Sequence, residues 1–424
     1  MEAKVGLASM VLFAVAACSD GVAQPRPSLQ TAFAHADEVI RLDIEIAPDD
    51  AALMLVDLEV EAQRKRIDRD FEYFECTVRF QNSTYEHVGI RLKGGTSLLR
   101  PHEDGRTKLH YKLDFDKFED EYPDTKNRTF LGQDKVNLAN SFRDPTMLRE
   151  LLTSELMLEF GAHAPRVRPC ALYFNGVFRG LYMIIEQIDE TFLRDRFGND
   201  SGNLYKPEHP HADLTRFKQR FMVKKTNEDV ADWSDVIEFI AKLKDPDVDI
   251  ATIFDVDSFL PWLAVSVAIC NLNSYLALPH NYYLYNNPAT GLFHFISWDH
   301  NASFGTHATL GYDASNIHTY PIDVPSIPGT PLVERVLAVP EYRKRYEDLV
   351  DQLAHHPMGS DRVAPLHADM RPWALMERYP FTLMYDASDF DRSVDEAVDV
   401  PGASALTPGL LDFIEKRRAF LMDR

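Results

Sequence analysis

Cysteine is scarce. Four are present in 424 residues, Cys18, Cys76, Cys170 and Cys270, with no C-x-x-C pair among them. With Cys18 set aside there is room for at most one disulfide. Cys76, Cys170 and Cys270 each lie among apolar or aromatic neighbours, the setting of a buried, inert thiol. No H-x-x-x-H spacing occurs either, so the sequence carries no zinc signature. After residue 18 no apolar run is long enough to cross a bilayer. Positive charge is in deficit: 45 Lys and Arg face 66 Asp and Glu, for a net charge of −21. Binding to a phosphate backbone needs a cationic face, which argues against nucleic acid as a partner. Internal repeats and low-complexity blocks are absent.

What is present begins with an export signal. Lys4 precedes an apolar run, Val5 to Ala17, that is too short to span a membrane and ends in V-A-A-C. Small residues before a cysteine resemble a bacterial lipobox. The resemblance implies a signal peptide over 1–18, a lipid-modified Cys18, and a polar, proline-containing tether over 19–37. Ser19 rather than an acid follows the cysteine. The expected location is therefore the bacterial cell envelope, on the outer-membrane, periplasmic or surface side, with the lipid anchor as the only membrane contact.

The remaining chain, 38–424, is large enough for one sizeable domain. Its first part is β-rich. V-I-R-L-D-I-E-I (39–46) alternates as a strand. A helix follows the Asp49-Asp50 cap, then F-E-C-T-V-R-F and H-V-G-I-R-L form a hairpin about Q-N-S-T. K-L-H-Y-K-L-D-F (108–115) reads as a further strand. Asp144-Pro145 opens a helix that Gly161 ends. Strands on either side of Asn175-Gly176 make a hairpin with a type I′ turn signal, and a short amphipathic segment, E-T-F-L-R-D-R-F-G, comes after it. From about 228 the pattern is helical: 232–243, 257–270, 331–356 and 408–422, with one hairpin, Y-Y-L-Y and L-F-H-F-I-S-W, joined by N-N-P-A-T-G. The class is α+β.

The order of these parts carries chemistry. A glycine turn, a strand bearing lysines, a helix bearing glutamates and a strand pair with a polar hinge come first. A helix running into a polar loop and a hairpin followed by Asp complete the series. Phosphoryl transfer by kinase-like enzymes uses such parts: glycine amides and a lysine on the phosphates, a loop acid for the hydroxyl, and Asn and Asp for the metal.

The chain resembles the CotH kinase family, which has an atypical protein-kinase-like fold. The matching stretches are R-L-K-G-G-T-S-L (91–98), D-P-T-M-L-R-E (144–150), A-P-R-V (164–167), N-G-V-F-R-G-L-Y-M-I-I-E-Q-I-D (175–189), G-N-L-Y-K (202–206), H-N-Y-Y-L-Y (280–285) and W-D-H-N-A-S-F-G (298–305). The resemblance implies a two-lobed fold, with a β-rich N-lobe over about 38–190 and a mostly helical C-lobe over about 191–424. It places Gly94 and Gly95 at ATP phosphates, with Lys112 as the phosphate lysine and Lys108 as its rival. Glu150 would be that lysine's partner, with Glu155 the alternative, and Glu186 to Asp189 the hinge beside adenine. Asn281 and Asp299 would hold Mg²⁺ or Mn²⁺, with Asn301 a weaker ligand. His280 and His300, which flank them, read as hydrogen-bonded structural histidines. One position departs from the pattern. Asn273 stands in N-L-N where relatives carry the catalytic Asp, and an amide accepts no proton at neutral pH.

The expected function is that of an ATP- and Mg²⁺-dependent protein Ser/Thr kinase-like lipoprotein of low activity, acting on a protein substrate that the sequence does not name. Two alternatives stay open at this point: an inactive kinase-like module that binds a surface polymer or partner protein, and transfer of AMP in place of phosphate.

Overall fold

The computed structural model describes residues 38–64, 70–323, 327–378, 382–403 and 405–423. The expected signal peptide, Cys18 and tether lie outside the described residues.

The alternating segments build a closed barrel. Its strands are β1 (Ile40–Ile46), β2 (Phe74–Phe80), β3 (Ser83–Leu92), β4 (Tyr111–Asp114), β5 (Lys135–Ala139), β6 (Val167–Phe174) and β7 (Val177–Glu186), in the order β1-β2-β3-β4-β5-β7-β6. The pair that closes it is parallel: Ile40 to Ile44 of β1 face Cys170 to Phe174 of β6. Period-two alternation sends Leu42, Ile44, Val78, Ile90, Leu113, Leu138, Leu172 and Ile184 into the barrel, where all are fully buried. Each such side chain contributes about 1.5–3 kcal/mol of burial. Asn175 and Gly176 both have positive φ (48° and 76°), the I′ geometry expected of the hairpin joining β6 to β7.

The outward residues of β5, β6 and β7, among them Ala139, Val167, Ala171, Met183 and Ile185, join a second and larger core. In chain order the helices are α1 (Pro48–Gln63), α2 (Thr96–Glu103), α3 (Arg149–Glu159), α4 (Glu190–Phe197), α5 (Ser234–Lys244), α6 (Val256–Ala268), α7 (Pro331–Ala338), α8 (Pro340–His355), α9 (Ser360–Ala374), α10 (Ala387–Arg392) and α11 (Leu410–Met422). Helices α3 and α5 to α11 supply most of this second core. It also takes in part of a four-stranded sheet in the order β11-β10-β8-β9, formed by β8 (Leu204–Pro207), β9 (Met222–Lys224), β10 (Tyr282–Asn287) and β11 (Leu292–Ser297). No helix among the described residues is long and apolar enough to cross a membrane.

Three expectations are corrected. The helix expected from Asp144-Pro145 starts at Arg149, because Met147 turns left-handed (φ 55°) and the Asp144 carboxylate accepts from Thr146 N, Arg149 N and the Arg149 guanidinium. The helix expected over 331–356 is two, broken where Pro340 forces extended backbone on Val339. The strand expected over 108–115 spans only Tyr111–Asp114, leaving Lys108 before it.

Candidate active site

The β10–β11 hairpin brings the site's polar ends together. Tyr282 opposes Ser297, so Asn281 and Trp298 meet one step beyond, and Trp298 N donates to Asn281 O at 3.1 Å. Asp299 follows directly. Asn281 and Asp299 both hold left-handed backbone, φ 59° and 63°. Asn and Asp visit that region at less strain than other side chains, and residues held in such sparsely populated backbone cluster at functional sites.

The amides around Asp299 are aimed. Asn281 Nδ2 donates to the carbonyl of Asn273 (2.8 Å) and Asn301 Nδ2 to the carbonyl of Phe142 (2.6 Å). Each amide nitrogen is thus tied to main chain, which sets the orientation of the side chain. Asn273 arrives on the loop after α6 and accepts at Oδ1 from His280 Nε2 (2.9 Å). The structure therefore brings Asn273, His280, Asn281, Asp299 and Asn301 together.

Glu150 lies in the first turn of α3. Its Oε2 accepts from His300 N (2.9 Å), while the buried Oε1 has no hydrogen-bond partner. Burial, and then the charge of Asp299, push the Glu150 carboxyl well above the usual carboxylate range. Burial raises Asp299 too, opposed by Lys206 and Lys93. Two enclosed carboxyls within reach of each other's charge favour uptake of a proton or a cation. His300, whose Nε2 meets Ser297 Oγ at 2.8 Å, is pushed down to about 3 by its burial.

Lys93 and Lys206 act on Asp299, and Lys93 adjoins a cationic face of the barrel. Arg91, Lys112 and Asn137 are register partners across β3, β4 and β5, and Lys93 follows β3. Lys93 Nζ donates to Asn137 Oδ1 and, at 3.2 Å, to Gln187 Oε1, and sits 4.8 Å from the centre of the Trp298 ring. Burial and the neighbouring Lys112 hold it well below the usual lysine value. Lys112 is pushed down to about 8 by burial and Arg91. Lys206 on β8 meets Glu208 at 2.7 Å. Gly94 takes φ 113°, which a side chain would strain, and Gly95 caps the N-terminus of α2.

Five residues of the expected site have partners other than those expected. Lys108 is 1% exposed and closed in an ion pair with Glu377 (2.5 Å), so it offers no face to phosphate. Glu150 faces the backbone of His300 rather than a lysine, and Glu155 pairs with Arg362 at 3.0 Å. The Glu186 carboxylate is consumed by Arg166 N, the Arg166 and Arg196 guanidinium groups and Gln133 Nε2. Asp189 caps α4 through Thr191 N and Phe192 N, and burial, with Asp134 beside it, pushes it up to about 7.

Sequence reasoning missed Lys93 and Lys206 as site cations. Both stand inside the quoted stretches R-L-K-G-G-T-S-L and G-N-L-Y-K. A lysine abutting the glycine pair was the available signal for the first.

The kinase protein family described as CotH matches residues 90–421, from the end of β3 into α11, and so includes every residue of this site. The chain belongs to the CotH kinase protein family. It is 28% identical over 291 residues to inner spore coat protein H of Bacillus subtilis (strain 168), a match that spans 63% of this chain and 75% of that protein. Within this CotH chain, β1, α1 and β2 precede the matched region.

His280 gives a direct pH test. Burial, and then the nearby His209, hold its pKa down to about 4 from 6.5. In the folded chain the ring is therefore neutral through pH 5–8, and its NMR signals should not titrate in that range. Its contribution to stability is complete above pH 6.5. It is lost as pH falls toward about 4, because the unfolded chain takes up the proton first.

Proposed function

We propose that this CotH protein is an atypical, two-lobed protein kinase of the bacterial envelope, transferring the γ-phosphoryl group of ATP to a Ser or Thr hydroxyl of a protein. What supports this reading is that Asp299, reached from Asn281 across the end of the hairpin, is within electrostatic reach of Glu150, Lys93 and Lys206. In the proposal the barrel is the N-lobe and the helical core the C-lobe. The donor set is all oxygen, and Glu150 Oε1 is an orphaned buried acceptor. These groups fit Mg²⁺ or Mn²⁺, hard cations that prefer oxygen ligands. Asp299, with the Oδ1 atoms of Asn281 and Asn301, would hold the ion, which when bound supplies charge neutralisation at the phosphates.

The chain's own residues do the rest. Lys93 and Lys112 attract the phosphates, and the amides after Gly94 receive them. The main chain at 186–189 borders the base. Asn273, fixed by His280 and by its carbonyl's bond to Asn281, positions the hydroxyl without taking its proton. Positioning and electrostatics carry most of phosphoryl transfer, so the amide slows the reaction without abolishing it.

The test is intact mass of the purified chain after incubation with ATP and Mg²⁺ or Mn²⁺, alone and with candidate acceptor proteins. Asn273→Asp restores an acid within reach of the hydroxyl and should raise the transfer rate on the order of 10²-fold. An adduct of AMP would replace this reading with nucleotidyl transfer. Failure of ATP and Mg²⁺ to raise the melting temperature would leave a binding module, the reading that Asn273 favours.

A further inference from the structure

A second polar cluster lies outside these residues. His163 follows α3 in the loop 161–166, Asp255 is the N-cap of α6, and His294 lies on β11. We propose that His163, Asp255 and His294 bind one zinc-like divalent transition ion. Their ligand atoms all lie within 4.8 Å of one another. Asp255 Oδ2 is 2.9 Å from His294 Nδ1 and 3.7 Å from His163 Nε2. Zinc bonds of about 2.0–2.1 Å in tetrahedral array put neighbouring ligand atoms roughly 3.3–3.4 Å apart. The two contacts bracket that value, and adjustments of about half an ångström bring both to it. At 3.7 Å, His163 Nε2 is beyond hydrogen-bond reach of the carboxylate, so that nitrogen is not tied to it.

The surroundings hold the three groups in place. Ser258 donates to Asp255 through Oγ (2.5 Å) and N (3.4 Å), and Thr290 Oγ1 is 3.5 Å from His294 Nε2. Outer partners of this kind orient metal ligands. The Phe197 ring packs on both imidazoles, at 4.7 and 4.8 Å. The three side chains are 21%, 18% and 9% exposed. The cluster is enclosed, yet open enough for an ion to enter and for water to complete its coordination. Against its burial, the neighbouring His163 and the hydrogen bonds from His294 and Ser258 hold Asp255 far below the usual carboxylate range, ready as an anionic ligand. Imidazole nitrogen selects zinc and its neighbours over magnesium or calcium.

The three ligands stand on the segments that deliver the candidate active site. The loop bearing His163 extends the helix of Glu150, α6 leads into Asn273, and β11 leads into Asp299. A bound ion fastens these segments to one another. Positions 163, 255 and 294 are too widely spaced for any short motif, which is why the sequence shows no zinc signature.

The experiment is equilibrium dialysis of the full metal-free chain against zinc, with bound metal counted per chain and Mg²⁺ in excess. One zinc per chain is expected, retained in Asp299→Asn. Affinity should fall at least ~10-fold in His294→Gln and in His163→Gln, since losing a ligand costs no less than losing an outer partner. Circular dichroism of the metal-free variants separates loss of a ligand from loss of the fold. His163→Gln, at a partly exposed loop position, is the variant expected to stay folded. Cobalt in place of zinc should give visible absorption that both variants lose. No bound zinc, zinc unaffected by His163→Gln, or zinc lost in Asp299→Asn would each overturn the proposal.

Discussion

Asp299→Asn should lower phosphate transfer by at least ~10² to 10³-fold, the scale of removing one fixed electrostatic contact from a transition state. It should also abolish the rise in melting temperature with ATP and Mg²⁺. Asparagine is the informative replacement. It keeps the shape of the side chain and tolerates φ 63°, which alanine would not. Without ligand the variant should be as stable as the parent or more so, because burial already penalises the Asp299 carboxylate and Glu150 loses a like-charged neighbour. Lost transfer with retained stability marks a residue whose cost is borne for function. Unchanged transfer would remove Asp299 from the mechanism.

Glu377→Ala should destabilise the chain strongly. Glu377 follows α9 and its Oε1 accepts both from Lys108 Nζ (2.5 Å) and from Leu181 N of β7 (2.7 Å). Both partners of the ion pair are buried, and burial works against the charge on each. Such a pair adds little against apolar replacement, yet breaking it strands the other charge at about 3–5 kcal/mol. Urea unfolding should show that loss. Glu377→Leu combined with Lys108→Met should recover much of it, because neither charge is then left alone. Additive losses in the double variant would show that the two side chains act independently.

Much of the fold was legible because alternation and turn chemistry are local. The strand from Ile40, the Asn175-Gly176 hairpin and the hairpin delivering Asn281 and Asp299 all follow from short-range pattern. What escaped depends on distant contacts. Barrel closure requires β1 to find β6, and the short strand β5 is decided by its neighbours. Helix α2 is masked by two glycines before it and Pro101 within it. At the site, the meeting of Asn281 with the Trp298-Asp299 step was legible from their flanking of one hairpin. The partners of Lys108, Glu150 and Glu186 were not, since Glu377, His300 and Arg196 approach from elsewhere in the chain. Carboxylate and lysine identities alone do not tell a ligand from a buried ion pair.

The closure of the barrel also fixes an order of assembly. β1 is the first described strand, yet one of its two neighbours, β6, lies more than a hundred residues downstream. As the chain emerges from a ribosome or a translocation pore, Ile40–Ile46 can pair with the nearby β2 but must wait for Val167–Phe174 before its other edge is covered. Until then that edge presents unpaired amides and carbonyls to any extended chain nearby. Pairing over such separations also slows folding. The long interval before the seam closes is when this protein is most exposed to mispairing with its own kind, and a chain cut short of residue 167 would remain in that condition.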